Sequence, residues 1–567
     1  MRTLDNYNRW LNSSLVSDKD KAILRSMSQE EIDDAFFKDV EFGTAGMRGI
    51  IGPGTNRLNE FTVKKATVGF AIYLLEKYPN VAKDGVVISH DNRHFSRAFT
   101  LQTAKVLTEF GIKAYIFDDL RPTPELSFAV RYLKCSGGIM ITASHNPKEY
   151  NGYKVYDENG CQLIPEKINR LIDIIAELPN ELNVTYTPVA HPAQIVVLDD
   201  KVDDEYIKNV KSIQLYPDLD KSKFKIVYTP NHGTGLMPVM TVFKDLGYNV
   251  YPVESQCTPD PDFSGTKSPN PEEEVSYEEP IKLAKKVDAD LILMTDPDGD
   301  RVGIAYRAKK GQYVILNGNQ SGAMLLDYVL SSRKALGLLP EHRAVMFNTV
   351  VTSSIGKEIA HYYGVHTEQF LTGFKYIGDR IAYYEKTKKR LFQFGYEESC
   401  GVLVAPFARD KDGTQAVLMY AEMALKYYLE GKTLGDVWLE IGSRVGYYED
   451  KVFSLKFGGS DGDKEMKRIM TRLHEDKLEY IDHLKVTRIE DFERSIVRED
   501  SNEYYLTQPK ANLVKIFLED GASVAIRPSG TEPKIKFYTC VVSDDPISAK
   551  DKPLEIYNAL RKELDIK

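Results

Sequence analysis

The stretch GIMITASHNP, residues 138–147, decides how the rest of the chain is interpreted. Its apolar half, residues 138–141, predicts a short buried strand. Pro147 stops regular pairing and biases the preceding residue towards an extended conformation. The pattern therefore predicts that Ser144 lies on a stiff, exposed turn at the end of a strand, where α/β proteins place their chemistry. An ordinary polar turn is the alternative when this serine is considered by itself.

The composition is that of a globular protein with several domains. The chain has 567 residues, of which 42% are hydrophobic and 28% charged, and at about 150 residues per domain this length predicts about four domains. The net charge of −9 argues against binding of nucleic acid, which relies on a basic face. A local cluster of Arg and Lys can still bind a small anionic substrate.

The sequence carries no signal for a membrane or for secretion. The first residues lack an apolar core, no run of 18 apolar residues occurs, and the five cysteines are scattered without a CxxC pair. These features predict a reduced intracellular compartment. We expect a cytoplasmic protein, monomeric or dimeric, that binds neither membranes nor nucleic acid.

The N-terminal region predicts a helix followed by a glycine-rich loop. Residues 18–38 show helical spacing of apolar side chains, with Asp18 as a possible N-cap. The segment FGTAGMRG, residues 42–49, places three glycines around Arg48, which suggests a loop whose backbone approaches a ligand. Arg48 offers a bidentate fork for phosphate. A flexible turn with a solvated Arg is the alternative.

A strand–loop–helix–strand plan recurs three times, starting near residues 86, 224 and 344. In each copy a glycine ends the helix and another strand follows. Strands that alternate with helices predict mostly parallel sheets with helices on both faces.

The repeat also places three polar loops at matching positions. The segments 111–144 and 364–397 each span 33 residues from the helix-ending glycine to the loop, and 247–298 spans 51. The second copy therefore carries an insertion, which we assign to the Pro-rich stretch 258–271. The loops are TASHNP, DPDGDR and GYEESCG, and a shared central cleft is the simplest use of three such loops.

The last part of the chain departs from the repeat. It contains a charged helix around residues 464–474, short strands and the loop RPSGTEPK. We predict three similar mixed-sheet α/β domains plus a smaller C-terminal α+β domain around a central cleft. The expected boundaries are 1–201, 202–318, 319–447 and 448–567.

Three aspartates in the second loop predict a metal site. Asp296, Asp298 and Asp300 alternate along the chain, and alternation in an extended loop points three carboxylates at one centre, which suits Mg²⁺. A calcium EF-hand requires Gly and Glu where this chain has Arg301 and Arg307, so that motif is excluded. Arg301 would suit a phosphate bound to the same ion. A solvated acidic turn is the alternative, although three close carboxylates repel one another.

The fourth loop is a plausible anion nest. It supplies a guanidinium, two hydroxyls and a glycine amide within five residues: Arg527, Ser529, Gly530 and Thr531. An ordinary turn is the alternative. The only Gly-Lys-Thr string, residues 431–433, lacks the glycine that a P-loop needs at position 426.

The third loop and two lysines complete the candidates. Glu397 and Ser399 can bind sugar hydroxyls, and Tyr396 could pack on a sugar ring. Lys375 and Lys411 could act as acid or base if their pKa is lowered beside a second cation. An ordinary surface position is the alternative for each lysine.

These strings together resemble the α-D-phosphohexomutase superfamily. TASHNP, DPDGDR, EES and RPSGTEPK occur in the order typical of that family, together with FGTAGMRG and Gly152-Tyr153-Lys154. The resemblance covers residues 42–538 and is strongest to the branch of phosphoglucomutases shared with phosphopentomutases and bisphosphate-synthesising relatives. One departure is that Tyr396 stands between Gly395 and Glu397, where the family usually has Gly-Glu.

The resemblance implies a role for each matching residue. It implies that Ser144 is a phosphoserine and that its phosphate binds Mg²⁺ together with Asp296, Asp298 and Asp300. Residues implied near the transfer centre are Arg48, His145, Lys154 and Lys411. Residues implied in substrate binding are Arg301, Thr372, Gly373, Lys375, Glu397, Ser399, Arg527, Ser529, Gly530 and Thr531.

The resemblance further implies a reversible phosphoryl transfer between glucose 1-phosphate and glucose 6-phosphate. The route would run through a phosphoserine enzyme, with glucose 1,6-bisphosphate as intermediate and activator. Pentose or mannose phosphates, synthesis of a sugar bisphosphate, and phosphatase activity remain alternatives on the same site. A catalytically silent sensor of sugar phosphates is a further alternative.

Overall fold

Four β-sheets with accompanying helices run through the described chain. The computed structural model describes residues 2–43, 46–457, 459–475, 478–500, 502–528 and 534–566. The chain divides into two compact units. The first comprises Met1–Asn317, Phe374–Phe392 and Cys400–Tyr428, and the second comprises Gly318–Gly373, Gln393–Ser399 and Leu429–Lys567.

The first sheet and its helices occupy the N-terminal part of the first unit. The helices are α1 Arg2–Asn12, α2 Asp18–Ser26, α3 Gln29–Phe36, α4 Glu60–Lys77, α5 Val81–Asp84, α6 Ser96–Glu109, α7 Thr123–Tyr132, α8 Pro165–Glu177 and α9 Lys201–Lys211. The strands are β1 Phe42–Gly43, β2 Gly46–Ile50, β3 Val86–His90, β4 Ala114–Ile116, β5 Gly137–Ile141, β6 Tyr150–Asp157 and β7 Ile195–Val197.

The first sheet is mixed, in the order β1-β2-β6-β5-β3-β4-β7. Strands β5, β3, β4 and β7 pair in parallel, whereas β6, β2 and β1 continue the sheet in antiparallel pairs. The TASHNP loop therefore joins the parallel strand β5 to its antiparallel neighbour β6. This connection places the loop at the end of a buried strand, as the sequence predicts.

Both faces of strand β5 are covered, which explains its uninterrupted apolar run. Ile139 and Ile141 belong to a core cluster that also contains side chains of α4, α6 and α8. The alternate residue Gly138 faces α7, because a Cβ built there would lie 2.7 Å from Val130. A strand buried on both faces needs no polar alternation.

Two N-terminal predictions need correction. Residues 18–38 form two helices, α2 and α3, because Ser28 begins α3 with a capping box that Glu31 completes. The N-cap of α2 is Ser17, and Asp18 is the first helical residue. Arg48 lies on strand β2 and not in a loop, while Thr44 and Ala45 lie outside the described residues.

The second sheet repeats this plan in residues 225–316. Its elements are β8 Lys225–Thr229, α10 Leu236–Leu246, β9 Asn249–Pro252, α11 Glu278–Val287, β10 Leu291–Thr295, β11 Val302–Arg307 and β12 Tyr313–Leu316. The order is β12-β11-β10-β8-β9, with β10, β8 and β9 parallel and β11 and β12 antiparallel. The DPDGDR loop thus joins β10 to β11 as TASHNP joins β5 to β6.

The third copy contributes to both units. Its elements are α12 Gly318–Ala335, β13 Ala344–Thr349, α13 Ile355–Tyr362, β14 His366–Phe370, α14 Phe374–Thr387, β15 Leu391–Glu397, β16 Gly401–Leu403, α15 Gly413–Leu429 and α16 Leu434–Val445. In the second unit β13 lies between β14 and β15, and β13 pairs with β14 in parallel. Helix α12 packs against α13 and α16.

The C-terminal part of the second unit is an antiparallel sheet with helices. Its elements are β17 Tyr447–Lys456, α17 Gly459–Glu475, β18 Tyr480–Ile481, β19 Leu484–Asp491, β20 Ile496–Glu499, β21 Asn502–Tyr505, β22 Val514–Leu518, β23 Ser523–Pro528, β24 Lys534–Ser543 and α18 Lys552–Glu563. The order is β17-β24-β23-β22-β19-β20-β21, and β18 pairs with β19. The predicted charged helix is α17.

The repeat predicted from the sequence is confirmed in its order of strands and helices, but the first two sheets contain as many antiparallel as parallel pairs and are not mostly parallel. The helix-ending glycines Gly111, Gly247 and Gly364 have φ values of 78°, 74° and 73°, a left-handed conformation that favours glycine. The α/β fold with mixed sheets is likewise confirmed. In the described part of the chain, no helix combines the length and apolarity needed to span a bilayer.

Candidate functional site

Ser144 lies on a strained turn in the first unit. Its φ is +53°, a left-handed value that costs energy for a residue other than glycine. Its hydroxyl donates to Oδ2 of Asp296 at 2.7 Å and lies 3.2 Å from Nδ1 of His145. The residue is only 3% exposed, so the prediction of an exposed turn was wrong. The Asp296 carboxylate and the adjacent imidazole cover the hydroxyl.

The buried guanidinium of Arg93 binds the backbone of this turn. Arg93 is 3% exposed and donates to four backbone carbonyl groups of the Ser144 loop. The acceptors are the carbonyl oxygens of Ser144, Asn146, Pro147 and Tyr150. Because carbonyl oxygens that face one cation cannot turn away without losing their partner, Arg93 fixes the path of the loop.

A second support runs through Asp91 and Thr142. The Thr142 hydroxyl donates to Oδ2 of Asp91 at 2.6 Å and accepts the amide hydrogen of Ser144 at 2.8 Å. Asp91 also forms a buried ion pair with Arg93 at 3.2 Å. We call Asp91 and Arg93 the ionic brace. Sequence analysis missed it, although both residues stand in the polar loop directly after β3.

The three aspartates converge through a tight turn. The Gly299 amide donates to the carbonyl of Asp296 at 3.0 Å, and Gly299 has φ +68°. One ligand atom from each of Asp296, Asp298 and Asp300 lies within 4.8 Å of the other two. The convergence is therefore as predicted, but a turn produces it and not an extended loop.

The carboxylate cluster fits a divalent cation. Oδ1 of Asp298 and Oδ1 of Asp300 are buried and have no hydrogen-bond partner among the described residues. Burial raises the pKa of Asp296 well above its usual value, and the two neighbouring carboxylates add to that shift. Oxygen ligands of this kind, buried and mutually repelling, suit a hard ion such as Mg²⁺.

Two lysines contact the carboxylates. Nζ of Lys154, on β6, donates to Oδ2 of Asp298 at 2.8 Å. Burial by itself would raise the pKa of Asp298, but the Lys154 ammonium, the Asp296 side chain and Lys411 together lower it. Nζ of Lys411 lies 3.2 Å from Oδ2 of Asp300 and 3.0 Å from Oδ1 of Asp410.

Two further basic residues border the cluster. Arg48 is exposed and donates to the side-chain oxygen of Asn146 at 2.9 Å, beside Ser144. Arg301 donates to Oε1 of Glu272 at 2.6 Å. The first unit therefore surrounds Ser144 with cationic groups that can neutralise a phosphate.

Lys375 is buried elsewhere in the first unit. It is 7% exposed, and burial lowers its pKa to about 8, against a smaller opposing effect of Glu166. The lowered pKa therefore arises from burial and not from a second cation. An amine with this pKa changes charge in the range where many enzymes work.

The second unit holds the predicted sugar loop. Oε1 of Glu397 accepts the amide hydrogen of Gly373 at 2.8 Å, so Thr372, Gly373 and Glu397 lie together. Ser399 is half-buried. The neighbouring Glu398 accepts from the hydroxyls of Thr349, the last residue of β13, and Thr352, on the loop that follows.

Tyr396 does not have the predicted position. It is fully buried, and its ring fills the space left by two glycines in the second unit. A Cβ on Gly322 would lie 2.3 Å from Cδ2 of Tyr396, and one on Gly356 would lie 2.2 Å from its hydroxyl oxygen. Tyr396 is therefore a core residue and cannot stack on a sugar.

The fourth loop is described only at its edges. Arg527 is half-buried near the end of β23 and stands opposite Lys536 of β24. Ser529, Gly530 and Thr531 lie outside the described residues. Their predicted role in phosphate binding stays a prediction.

Four family models match successive parts of the chain. They are phosphoglucomutase/phosphomannomutase α/β/α domain I over residues 39–181, domain II over 204–311, domain III over 317–441 and the C-terminal domain over 466–548. Together they account for most of the sequence.

Curated relatives match over nearly their full length. The chain is 40% identical over 545 residues to a protein named phosphoglucomutase from Staphylococcus epidermidis (strain ATCC 12228), covering 95% of this chain and 97% of the relative. It is 39% identical over 539 residues to a phosphoglucomutase from Staphylococcus aureus (strain MRSA252), covering 94% of each.

Solved structures show the same fold at lower identity. Parafusin, a phosphoglucomutase from Paramecium in its open form, is 18% identical with a TM-score of 0.67, over 92% of this chain and 94% of that chain. A phosphoglucomutase/phosphomannomutase family protein from Burkholderia thailandensis is 18% identical with a TM-score of 0.66, over 92% and 97%.

Proposed function

The chain belongs to the phosphoglucomutase/phosphomannomutase family, and from this premise we propose that it interconverts glucose 1-phosphate and glucose 6-phosphate. The route runs through a phosphoserine enzyme and a glucose 1,6-bisphosphate intermediate. The observation that carries the proposal is the hydroxyl of Ser144, held 2.7 Å from one carboxylate of a buried cluster of three. Relatives named phosphoglucomutase that are about 40% identical favour glucose as the sugar.

Ser144 carries the phosphoryl group between two sugar positions. The phosphoserine loses its P–O bond as a free sugar hydroxyl attacks, and a sugar bisphosphate forms. The bisphosphate reorients in the site. Ser144 Oγ then attacks its other phosphate, which releases the isomeric monophosphate and restores the phosphoserine. Such transfers depend on in-line positioning and on neutralisation of the oxygens of the phosphoryl group, which the ionic brace and Arg48 support.

Asp296, Asp298 and Asp300 would hold Mg²⁺ together with the Ser144 oxygen or its phosphate. The ion supplies neutralisation of charge on the transferred group when bound. The orphaned oxygens of Asp298 and Asp300 support this assignment.

The protons of the two oxygen nucleophiles need acceptors. His145 Nδ1, 3.2 Å from Ser144 Oγ, is placed to hold the proton of the serine hydroxyl. Lys154 and Lys411, which contact the carboxylate cluster, are the two candidates for the proton of the sugar hydroxyl.

The proposal also gives roles in substrate binding. Arg301 and Lys375 supply positive charge, and Thr372, Gly373, Glu397 and Ser399 bind sugar hydroxyls. Arg527, Ser529, Gly530 and Thr531 bind the phosphate that is not being transferred. The domain boundaries 1–201, 202–318, 319–447 and 448–567 belong to the same proposal.

The cofactors are Mg²⁺ and glucose 1,6-bisphosphate, the latter as activator and intermediate. The partners are small sugar phosphates, not nucleic acid, and the protein acts as a monomer or dimer. Among the described residues the five cysteines form no disulfide, which is compatible with the cytoplasm, where thiols stay reduced.

Coupled assays test the proposal. Glucose 1-phosphate, ribose 1-phosphate and mannose 1-phosphate are each supplied with a trace of the matching bisphosphate, and product and free phosphate are both measured. We expect glucose 1-phosphate to give the highest kcat/KM, with phosphate conserved. Preference for another sugar would overturn the choice of glucose, net release of phosphate would indicate a phosphatase, and no turnover would remove the proposal.

A further inference from the structure

The insertion that lengthens the second copy of the repeat is not used by the reaction described above. Residues 258–271 run between two short 3₁₀ helices, Glu254–Gln256 and Glu274–Tyr277, and contain no helix or strand of their own. A long segment without regular structure in a compact unit usually has a function. Its contacts indicate which one.

One side of the insertion is fixed to the loop that follows β8. The Gly265 amide donates to Nε2 of His232 at 3.0 Å, so the Nδ1 of this histidine carries the hydrogen and donates to the carbonyl of Thr258 at 2.8 Å. The side chain of Gln256 donates to the carbonyl of Gly265 at 2.7 Å. These bonds attach the insertion to the domain that carries the aspartates.

The other side of the insertion reaches the loop that follows β3. The side-chain amide of Asn92 donates to the carbonyl of Asp260 at 2.7 Å. Oδ1 of Asp262 lies 3.2 Å from both Lys148 Nζ and His94 Nε2. These exposed ion pairs are individually weak, so the buried contacts nearby carry the argument.

Phe263 makes the central contact. Its side chain is 5% exposed, and its ring centroid lies 5.1 Å from Cζ of Arg93. A cation over an aromatic face at this distance is an attractive contact, and desolvation strengthens it. Arg93 is the guanidinium that binds four carbonyls of the Ser144 loop. Phe263 has φ +52°, a backbone conformation that is unfavourable for a bulky residue. Such a conformation persists only where the surrounding contacts hold it.

We propose that the insertion is a strut that sets the spacing between the Ser144 loop and the carboxylate loop, with Phe263 as a positioning residue that acts through Arg93. The far end of the strut is continuous with Glu272, which pairs with Arg301 beside the carboxylates. The role in turnover rests on the proposed function. The role of the strut in holding the Ser144 loop is independent of the proposed function.

The first test compares two substitutions of Phe263 in the full-length protein. Phe263→Leu removes the aromatic face and keeps an apolar side chain, whereas Phe263→Tyr keeps the face. We expect Phe263→Leu to lower kcat about 10- to 100-fold with KM within about twofold, because misplacement of reacting groups costs rate and not ground-state binding. Phe263→Tyr should retain most of the activity.

A double-mutant cycle separates positioning from simple destabilisation. If Phe263 acts through Arg93, adding Phe263→Leu to Arg93→Lys should cost much less than it costs in the unmodified protein. Phe243→Leu is the matched control, because Phe243 is a buried phenylalanine of the same domain that packs on Tyr248. This control should lower stability and leave kcat unchanged.

A readout without substrate keeps the two proposals distinguishable. Amide hydrogen exchange in residues 142–150 should rise in Phe263→Leu and stay at the unmodified rate in Phe263→Tyr and Phe243→Leu. Unchanged exchange in Phe263→Leu, or independent effects of Phe263→Leu and Arg93→Lys, would overturn the strut. If the unmodified protein has no mutase activity but the variants show the expected exchange pattern, only the proposed function is overturned.

Discussion

Two loops of the first unit occupy equivalent places in the repeat but are held by different chemistry. The Ser144 loop joins β5 to β6 and rests on the ionic brace of Asp91 and Arg93. The carboxylate loop joins β10 to β11 and rests on neutral groups. Asn231 donates to the carbonyl of Thr295 at 3.0 Å, and Thr234 donates to that of Pro297 through its amide at 2.8 Å and its hydroxyl at 3.0 Å.

The difference follows the charge that each loop has to carry. A guanidinium under the Ser144 loop favours an anionic phosphoryl group above it. A neutral brace under the carboxylate loop adds no positive charge of its own to the three carboxylates. The neutral brace also packs closely, since a Cβ on Gly233 would lie 2.4 Å from Cα of Pro297. The same strand–loop–strand arrangement thus supports one loop suited to an anionic phosphoryl group and one suited to a metal cation.

The largest effect is expected from removing the group that the first loop presents. Ser144→Ala should lower turnover by about four orders of magnitude or more, because the oxygen that carries the phosphoryl group is then missing. Unfolding by urea should be nearly unchanged. Ser136→Ala, at a serine of similar burial before β5, is the control. Full activity in Ser144→Ala would contradict the role of the loop.

The next largest effect is expected at the ionic brace itself. Arg93→Met leaves Asp91 buried and unpaired, which should cost about 3–5 kcal/mol of unfolding free energy and lower kcat about 100-fold. Urea unfolding and steady-state kinetics measure the two effects. Arg121→Met, which breaks another largely buried ion pair, with Asp203, should lower stability with little loss of kcat. Equal kinetic losses in both variants would show that the brace has no specific role.

The pH dependence of KM tests whether Lys375, which belongs to neither loop, binds the substrate through its charge. Lys375, with a pKa of about 8, is cationic below that pH and neutral above it. If it binds a substrate anion, KM should be constant below pH 8 and rise by up to about tenfold per pH unit above it. Lys375→Arg stays charged and should flatten the profile. A profile that is the same in both proteins would exclude Lys375 from binding.

The smallest effect is expected at the neutral brace. Thr234→Val removes one hydroxyl hydrogen bond, but the amide of the same residue still serves the carbonyl of Pro297. The cost should be about 1 kcal/mol of unfolding free energy, with kcat within about twofold. Thermal and urea unfolding check the first value. A loss as large as that of Arg93→Met would contradict the difference between the two braces.

The strands and helices of the repeat could be predicted because their signals are local. Strands β3 and β5 are buried along their whole length, and residues 86–88 and 138–141 appear as continuous apolar runs. Glycines with positive φ end the helices at the predicted places. The three aspartates could also be predicted as one group, because they lie within five residues of chain.

The supports of the site could not be predicted because they depend on contacts distant in sequence. Arg93 binds the carbonyl of Tyr150, 57 residues away, and Ser144 is covered by Asp296, 152 residues away. Tyr396 was misplaced for the same reason, since the two glycines that make room for its ring precede it by many residues. No local pattern distinguishes a buried loop residue from an exposed one in these cases.

The most direct test of the account is where the protein carries phosphate. The full-length protein is incubated with glucose 1,6-bisphosphate and Mg²⁺, digested, and analysed by mass spectrometry before and after addition of excess glucose 6-phosphate. The account predicts a single phosphorylated residue, Ser144, whose phosphate disappears on addition of the sugar phosphate. Phosphate on another residue, or phosphate that stays on Ser144, would contradict it.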